Sequence, residues 1–380
     1  MNTPKRILVL TASAGYGHRS AANSIIDALK EENPNYEIEI FDTWSLLPAW
    51  QHWIYTKGYV LAGRLTPDFY RFVYRTIVNS PRHLKSVKNG FLKNARGLNK
   101  YTKRFNPDVV VATHAHGAGI AHHLKEHFKH DFKLVYAYTD YHAHNLLRYD
   151  AVDLYCLPAE SVADELNALG VPRENIAVTG VPVRREFGAY IKQSDARKQL
   201  GIDPGRFTVL LMRGGHAIGS SWMSQVLKLA HQKQLAVNII AVTGTNEILE
   251  DRLNRLVSKY SPAAHNTSVQ VVGFSKDIPL FLAAADVYVG KPGGLSLSEA
   301  LTVGRPLIVD SGMPGTEDGN LEFVKREKIG LKAENPRDVI NHLRYFSDNK
   351  DKLKEYKKRA HRLGQPQAAQ NIAKNIDGII

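Results

Sequence analysis

An apolar run, a glycine turn and an amphipathic run follow one another in VYVGKPGGLSLSEAL, Val287 to Leu301, and few local folds accept that order. Val287, Tyr288 and Val289 read as a buried strand, and Leu297, Ala300 and Leu301 fall on one side of a helix. The turn between them bares backbone N–H groups at a helix N-terminus, where partial positive charge suits a diphosphate. Glu299 lies in the first turns of that helix. A carboxylate there works against a phosphate, but it can accept two hydrogen bonds from a ribose diol. The combination points to a nucleotide-sugar site, whereas a Gly-Gly turn alone would only punctuate the backbone.

A second glycine turn lies near the start of the chain. ILVLTASAGYGHRSAANSIIDAL, Ile7 to Leu29, reads as a buried strand, a loop with Gly15 and Gly17, and a helix with Ile25, Ile26 and Leu29 on its apolar side. It is not a dinucleotide fingerprint, because Ser20 stands at the third glycine position. His18 and Arg19 stand at the helix start instead. A histidine at the mouth of a first βα turn is placed to take a proton near neutral pH, or else simply to cap the helix.

Strand-like and helix-like segments alternate along the whole chain. Strands are expected at Ile7–Leu10, Glu37–Phe41, Val109–Thr113, Leu134–Thr139 and Leu154–Leu157, then at Phe207–Met212, Val237–Thr243, Val269–Val272, Val287–Gly290 and Leu307–Val309. This βαβ rhythm predicts an α/β protein with parallel sheets covered on both faces. Two glycine turns so far apart predict two Rossmann-like sheets, each with its own crevice where the strand order reverses. The boundary is expected in the Gly- and Pro-bearing stretch Val178–Tyr190.

At 380 residues the chain can form two domains with full cores. No apolar run reaches the length of a membrane span, and the polar start Met1–Arg6 is no signal peptide. The single cysteine, Cys156, excludes an intramolecular disulfide and fits a cytoplasmic setting. A formal net charge of +13 calls for an anionic partner. No zinc-ligand spacing or RNA-binding signature is present, so nucleic acid is not the expected one. Histidines gather in THAHGAG (His114, His116) and YTDYHAH (His142, His144), but without the spacing of a metal site, and no metal is expected. The stretch Trp44–Phe105 breaks the alternation with aromatic and basic residues, including Trp44, Trp50, Trp53, Arg71 and Arg75. Such a composition suits helices lying in an anionic membrane interface, or a solvated face over an ordinary core.

Four segments match one pattern in order: TASAGYGHRSAA, VTGVPVRREF, VVGFSKDIPLFLAAADVYVGKPGGLSLSEAL and MPGTEDGN. They resemble the diacylglycerol glycosyltransferases, the monogalactosyldiacylglycerol synthases and processive diacylglycerol glucosyltransferases, and more distantly the lipid-linked muramyl-peptide N-acetylglucosaminyltransferase. The resemblance spans nearly the whole chain. It implies the GT-B architecture: two Rossmann-like domains facing a central cleft. An acceptor- and membrane-binding domain would occupy residues 1–183 and a nucleotide-sugar domain residues 184–362, with 363–380 as a helix that could return to the first domain.

The resemblance also implies a UDP-hexose donor, a diacylglycerol acceptor, no cofactor, and work at the inner face of the cell membrane. Gly273 and Phe274 would border the nucleobase. Gly293, Gly294, Leu295 and Ser296 would cradle the diphosphate, Glu299 would hold the ribose, and Glu317, Asp318 and Asn320 would meet the hexose hydroxyls. In the cluster Arg213, Gly214, Gly215 and His216, where the family has a glycine triplet with Glu, Arg213 or His216 could offset leaving-group charge, or Arg213 could pair with a structural carboxylate. Thr316 stands where the family often has Gln, which leaves the hexose open. On the acceptor side His18, with Gly17 before it, is expected as the base, and Asp140 as its orienting carboxylate or as a rival base; His114 would line the site. A GT-B enzyme with another acceptor, a sugar-nucleotide epimerase and a non-catalytic peripheral membrane protein are the alternatives.

Overall fold

The computed structural model describes residues 4–13, 16–54, 58, 66–215, 220–260, 266–312 and 315–380. The chain divides into two compact units: Met1–Arg185 with Met313–Gly319 and Gln365–Ile380, and Glu186–Gly312 with Asn320–Gly364.

The first unit is built on β1 (Arg6–Thr11), β2 (Glu37–Asp42), β3 (Val109–Ala112), β4 (Lys133–Ala137), β5 (Leu154–Leu157) and β6 (Ile176–Val178). They pair in parallel in the order β2-β1-β3-β4-β5-β6. Alternate residues of β1 feed two separate cores, Leu8 and Leu10 on one face, Ile7 and Val9 on the other. That is the period-2 consequence of covering a parallel sheet on both sides. The C-terminal helix Ala368–Asp377 puts Ile372, Ala373 and Ile376 into the same core as Ile25 and Leu29 of the helix Tyr16–Glu32. A hydrogen bond from the Tyr36 hydroxyl to Asp377 fixes its far end.

The second unit carries β7 (Phe207–Met212), β8 (Val237–Val242), β9 (Ser268–Val272), β10 (Val287–Gly290), β11 (Leu307–Val309) and β12 (Gly330–Lys332). Their order is β12-β11-β10-β7-β8-β9, again parallel throughout. Every strand read from the sequence is present. The strands β6 and β12 were not anticipated. Each is three residues long and lies at a sheet edge, so its extended form depends on pairing with β5 or β11 rather than on its own pattern.

The aromatic, basic stretch does not behave as one surface. Trp44 is buried, contrary to its expected place among interfacial aromatics. The long helix Pro81–Phe105 lays Ala95, Leu98 and Phe105 onto the first core and is an ordinary covering helix there. Trp50, Trp53, Phe69 and Phe72 are exposed, on the helices Ala49–Trp53 and Pro67–Asn79. No helix among the described residues is long and apolar enough to cross a membrane.

Candidate active site

In the first unit β1 has β2 on one side and β3 on the other, so the strand order reverses between β1 and β3. Loops leaving the carboxyl ends of those two strands diverge and leave a crevice. His18 follows β1, and Thr113 and His114 follow β3. The His18 Nδ1 lies 2.9 Å from the Thr113 carbonyl oxygen and 3.2 Å from the Thr139 hydroxyl. A carbonyl only accepts, so Nδ1 carries the proton and Nε2 of the neutral ring is its basic nitrogen. Thr113, with Thr139 beside it, is therefore an orienting partner of His18, and neither residue was singled out from the sequence. Asp140 follows Thr139 directly at the end of β4. Gly17 is helical, within Tyr16–Glu32; Gly15 lies outside the described residues.

The His114 ring meets the His18 ring edge-on, with centroids 4.6 Å apart. It caps the helix Ala115–Glu126 by accepting the His116 N–H at Nδ1, 3.2 Å away. Burial holds His114 well below the usual histidine range, and the His18 and His116 rings add to the effect. His116 is buried behind it between the Thr43 hydroxyl (3.0 Å) and the Asn94 amide (2.7 Å). Burial pushes its pKa down to about 4, opposed by Asp42. Neutral His114 thus stands against His18, with neutral His116 next to His114. Among the described residues no three His, Cys, Asp or Glu side chains converge as a metal-ligand set.

The second sheet reverses between β7 and β10, and both glycine turns of this unit sit there. Gly290 ends β10 against β7: a Cβ at this position would overlap the Met212 carbonyl oxygen, so the strands accept only glycine. Gly293 is the N-cap of the helix Gly294–Thr302 and has no side chain to occupy the first-turn N–H groups. Leu295 and Ser296 are part-exposed in that turn, while Leu297, Ala300 and Leu301 are fully buried. Glu299 is buried on the second turn. Gly214 adopts a left-handed φ of +72°, and a Cβ there would be 3.3 Å from Lys291 Cε. Lys291, in the turn after β10, thus brings a cation to the loop after β7. It was quoted within the glycine motif but not read as functional; its place directly after the strand was the available signal.

Arg213 is paired with the buried Asp310 at the end of β11, and its guanidinium lies 5.0 Å from the Trp222 ring centroid. A carboxylate partner, one of the two readings of Arg213, is present in Asp310. Gly215 is packed against Gly244, and its carbonyl accepts the Thr245 N–H at 2.9 Å. His216 lies outside the described residues. After β9, a Cβ at Gly273 would lie 2.6 Å from a Glu250 carboxylate oxygen, and Phe274 is exposed.

Asp318 and Arg71, expected on a hexose and on a membrane, bind each other. The Arg71 Nε donates to Asp318 at 3.0 Å, with a second bond to Asp68 at 2.9 Å, and an Arg75 nitrogen lies 3.5 Å from Asp318. The segment around Asp318 packs closely within the first unit: a Cβ at Gly315 would lie 2.9 Å from the Tyr74 ring, and one at Gly319 would overlap the His142 ring. Glu317 is buried in that turn, and Asn320 is fully buried in the helix Asp318–Arg326.

Residues 18–183 match the family described as monogalactosyldiacylglycerol (MGDG) synthase, and residues 193–363 match glycosyl transferases group 1. The processive diacylglycerol beta-glucosyltransferase of Bacillus pumilus is 24% identical, over 99% of this chain and 95% of its own length. MurG of Acinetobacter baumannii superposes with a TM-score of 0.64 at 16% identity, covering 99% of this chain and all of that one. Anabaena Alr3699/HepE, solved with UDP-glucose, does so with a TM-score of 0.56 at 15% identity over 98% of this chain and 99% of that one. The two sheets and these superpositions make the fold GT-B.

Proposed function

We propose that this chain is a member of the diacylglycerol glycosyltransferase family and transfers a hexose from a UDP-sugar to the hydroxyl of a diacylglycerol. The observation that carries the reading is His18, whose Nδ1 is committed to the Thr113 carbonyl at the reversal point of the first sheet, which leaves Nε2 as the base. A second reversal point, where the open helix start at Gly293 lies beside Lys291, supports a diphosphate donor.

The acceptor hydroxyl gives its proton to His18 Nε2 as its oxygen bonds to the anomeric carbon. The bond from that carbon to the diphosphate oxygen breaks, and its electron pair leaves on UDP. First-turn N–H groups and the Lys291 ammonium meet the growing negative charge, a task that needs no metal ion. Glu299 accepts hydrogen bonds from the ribose diol. Asp140 remains the rival for the base.

Exposed Trp50, Trp53, Phe69 and Phe72 support docking on a membrane surface, where the lipid acceptor resides. The test is turnover of radiolabelled UDP-glucose and UDP-galactose with and without diacylglycerol, with products separated by class. Labelled glycosyldiacylglycerol is the expected product. Epimerised UDP-sugar formed without lipid, or no consumption of either donor, would overturn the assignment.

A further inference from the structure

The two imidazoles at the β1–β3 reversal point are held in opposite tautomers. His18 faces a carbonyl through Nδ1, so its Nδ1 is the donor and its Nε2 the acceptor. His114 faces a backbone N–H through Nδ1, so its Nδ1 is the acceptor, and the ring proton must sit on Nε2. The partners decide both assignments, because a carbonyl can only accept and an amide N–H can only donate. The rings are 4.6 Å apart, and burial together with its two neighbouring rings keeps His114 neutral, so that Nε2 is a donor without charge. One ring thus offers an acceptor nitrogen and its neighbour a donor N–H.

We infer that His114 is a substrate-binding residue of the transfer reaction, whose Nε2–H donates a hydrogen bond to the hydroxyl oxygen that His18 deprotonates. This rests on the acceptor-hydroxyl reading above. A hydroxyl is the group that such a pair fits: it has one proton to give and lone pairs to receive. During transfer the oxygen's proton passes to His18 Nε2, an oxygen lone pair forms the glycosidic bond, and the pair of the broken bond leaves on the diphosphate. His114 keeps its proton throughout. Its contribution is a neutral donor aimed at an oxygen that gains negative charge as its proton departs. A charged imidazolium in that place would hold the alkoxide in the ground state and oppose protonation of His18 after transfer.

Two measurements test this together. In the first, the long-range proton–nitrogen NMR spectrum of the full chain labelled with ¹⁵N-histidine, assigned with His18→Gln and His114→Gln, reports which ring nitrogen is bare. The expected result at neutral pH is a bare Nε2 in His18 and a bare Nδ1 in His114. A cationic His114, or a proton on its Nδ1, overturns the proposal whatever the enzyme's substrate. In the second, His114→Phe keeps a flat ring and removes the donor. Turnover with diacylglycerol should fall by about 100-fold, the scale of one lost donor at a developing oxyanion, while the UDP-sugar KM stays at the parental value. His114→Gln, which restores an N–H, should recover part of the loss. Parental turnover in His114→Phe, or equal losses in the Phe and Gln variants, overturns it. Failure of the parent protein to glycosylate any lipid would count against the function itself, and the NMR result would still stand apart from that.

Discussion

Thr113 holds His18 by two hydrogen bonds: its carbonyl accepts the His18 Nδ1–H at 2.9 Å, and its hydroxyl donates to the His18 carbonyl at 3.2 Å. The backbone of the neighbouring strand therefore helps to orient the imidazole and sets its Nδ1 as the donor. We predict that His18→Ala lowers turnover by roughly 100- to 10,000-fold, the range for a positioned general base, and leaves UDP affinity intact in a calorimetric titration. If His18→Ala stays near parental turnover while Asp140→Asn abolishes it, the base is Asp140.

Glu299 is expected to act on the donor alone. It is buried on the helix that starts at the diphosphate turn. We predict that Glu299→Ala raises the donor KM about 10- to 100-fold, the effect of losing hydrogen bonds to a charged acceptor worth roughly 1.5–3 kcal/mol. Equal UDP-sugar affinity in variant and parent would remove this residue from the site.

The places of these two residues in the fold were legible in the sequence because each sits in a strand–turn–helix joint, where local pattern alone fixes which end of a strand a side chain occupies. The two sheets were legible for the same reason. The ion pairs were not. Arg71 and Asp318 are separated by 247 positions, and nothing near either one announces the other, so each was read as an unpartnered charge. Arg213 and Asp310 meet only because β10 lies between β7 and β11 in the sheet. Lys291 gains meaning by the same route, since its approach to Gly214 requires β10 to lie beside β7. Trp44 shows the converse error: composition counted it as interfacial, yet it packs edge-on against His52 and His114.

The buried histidines predict an acid-sensitive fold. His116 falls from an ordinary 6.5 to about 4 through burial, and burial takes His144 down to about 3. Both are depressed, so as pH falls below about 6.5 the unfolded chain takes up protons before the folded one. Stability is complete above that pH and is lost on the way down to about 4, at a slope near 1.4 kcal/mol per pH unit for one fully buried group. Thermal unfolding should therefore shift to lower temperature between pH 6.5 and pH 4. His116→Gln, which cannot titrate, should flatten that dependence even if it lowers stability at neutral pH. An unchanged slope in the variant would mean that other groups govern the acid limb.

Asp286 predicts where the second unit is most easily broken. It accepts from Arg197 at 2.6 Å and the Thr208 N–H at 2.9 Å in a buried setting, and from the part-buried Lys357 at 2.8 Å. Burial alone would raise its pKa, but Lys357 and Arg197 outweigh it and hold the carboxyl below its usual range. Asp286→Ala strands two cations and an amide. We predict a loss of about 3–5 kcal/mol in urea unfolding, the usual consequence of removing one partner of a buried ion pair. A loss within 1 kcal/mol (roughly the scale of an exposed pair) would show that solvent reaches the cluster.

The last prediction concerns the membrane, and the ion pairs decide which variant tests it. Reversing Arg71 and Arg75 would break their bonds to Asp318, so any loss of liposome binding would be confounded with damage to the turn that Asp318 anchors. Replacing the exposed aromatics leaves those ion pairs intact: Trp50 is 62% exposed, Trp53 51%, Phe69 66% and Phe72 67%. Each would contribute through burial of apolar area at the headgroup boundary, while the net charge of +13 contributes a salt-screened attraction to anionic lipid. Binding to phosphatidylglycerol-containing liposomes should rise with the anionic fraction and weaken from 50 to 500 mM salt, with the screening length shrinking over about that range. Replacing Trp50, Trp53, Phe69 and Phe72 together by Ala should lower liposome binding and activity on bilayers. Activity on a short-chain acceptor dispersed in detergent should survive, because His18 and the Gly293 turn are untouched. Unchanged liposome binding would make these residues an ordinary solvated face, and equal loss on both acceptors would move them into the acceptor site itself.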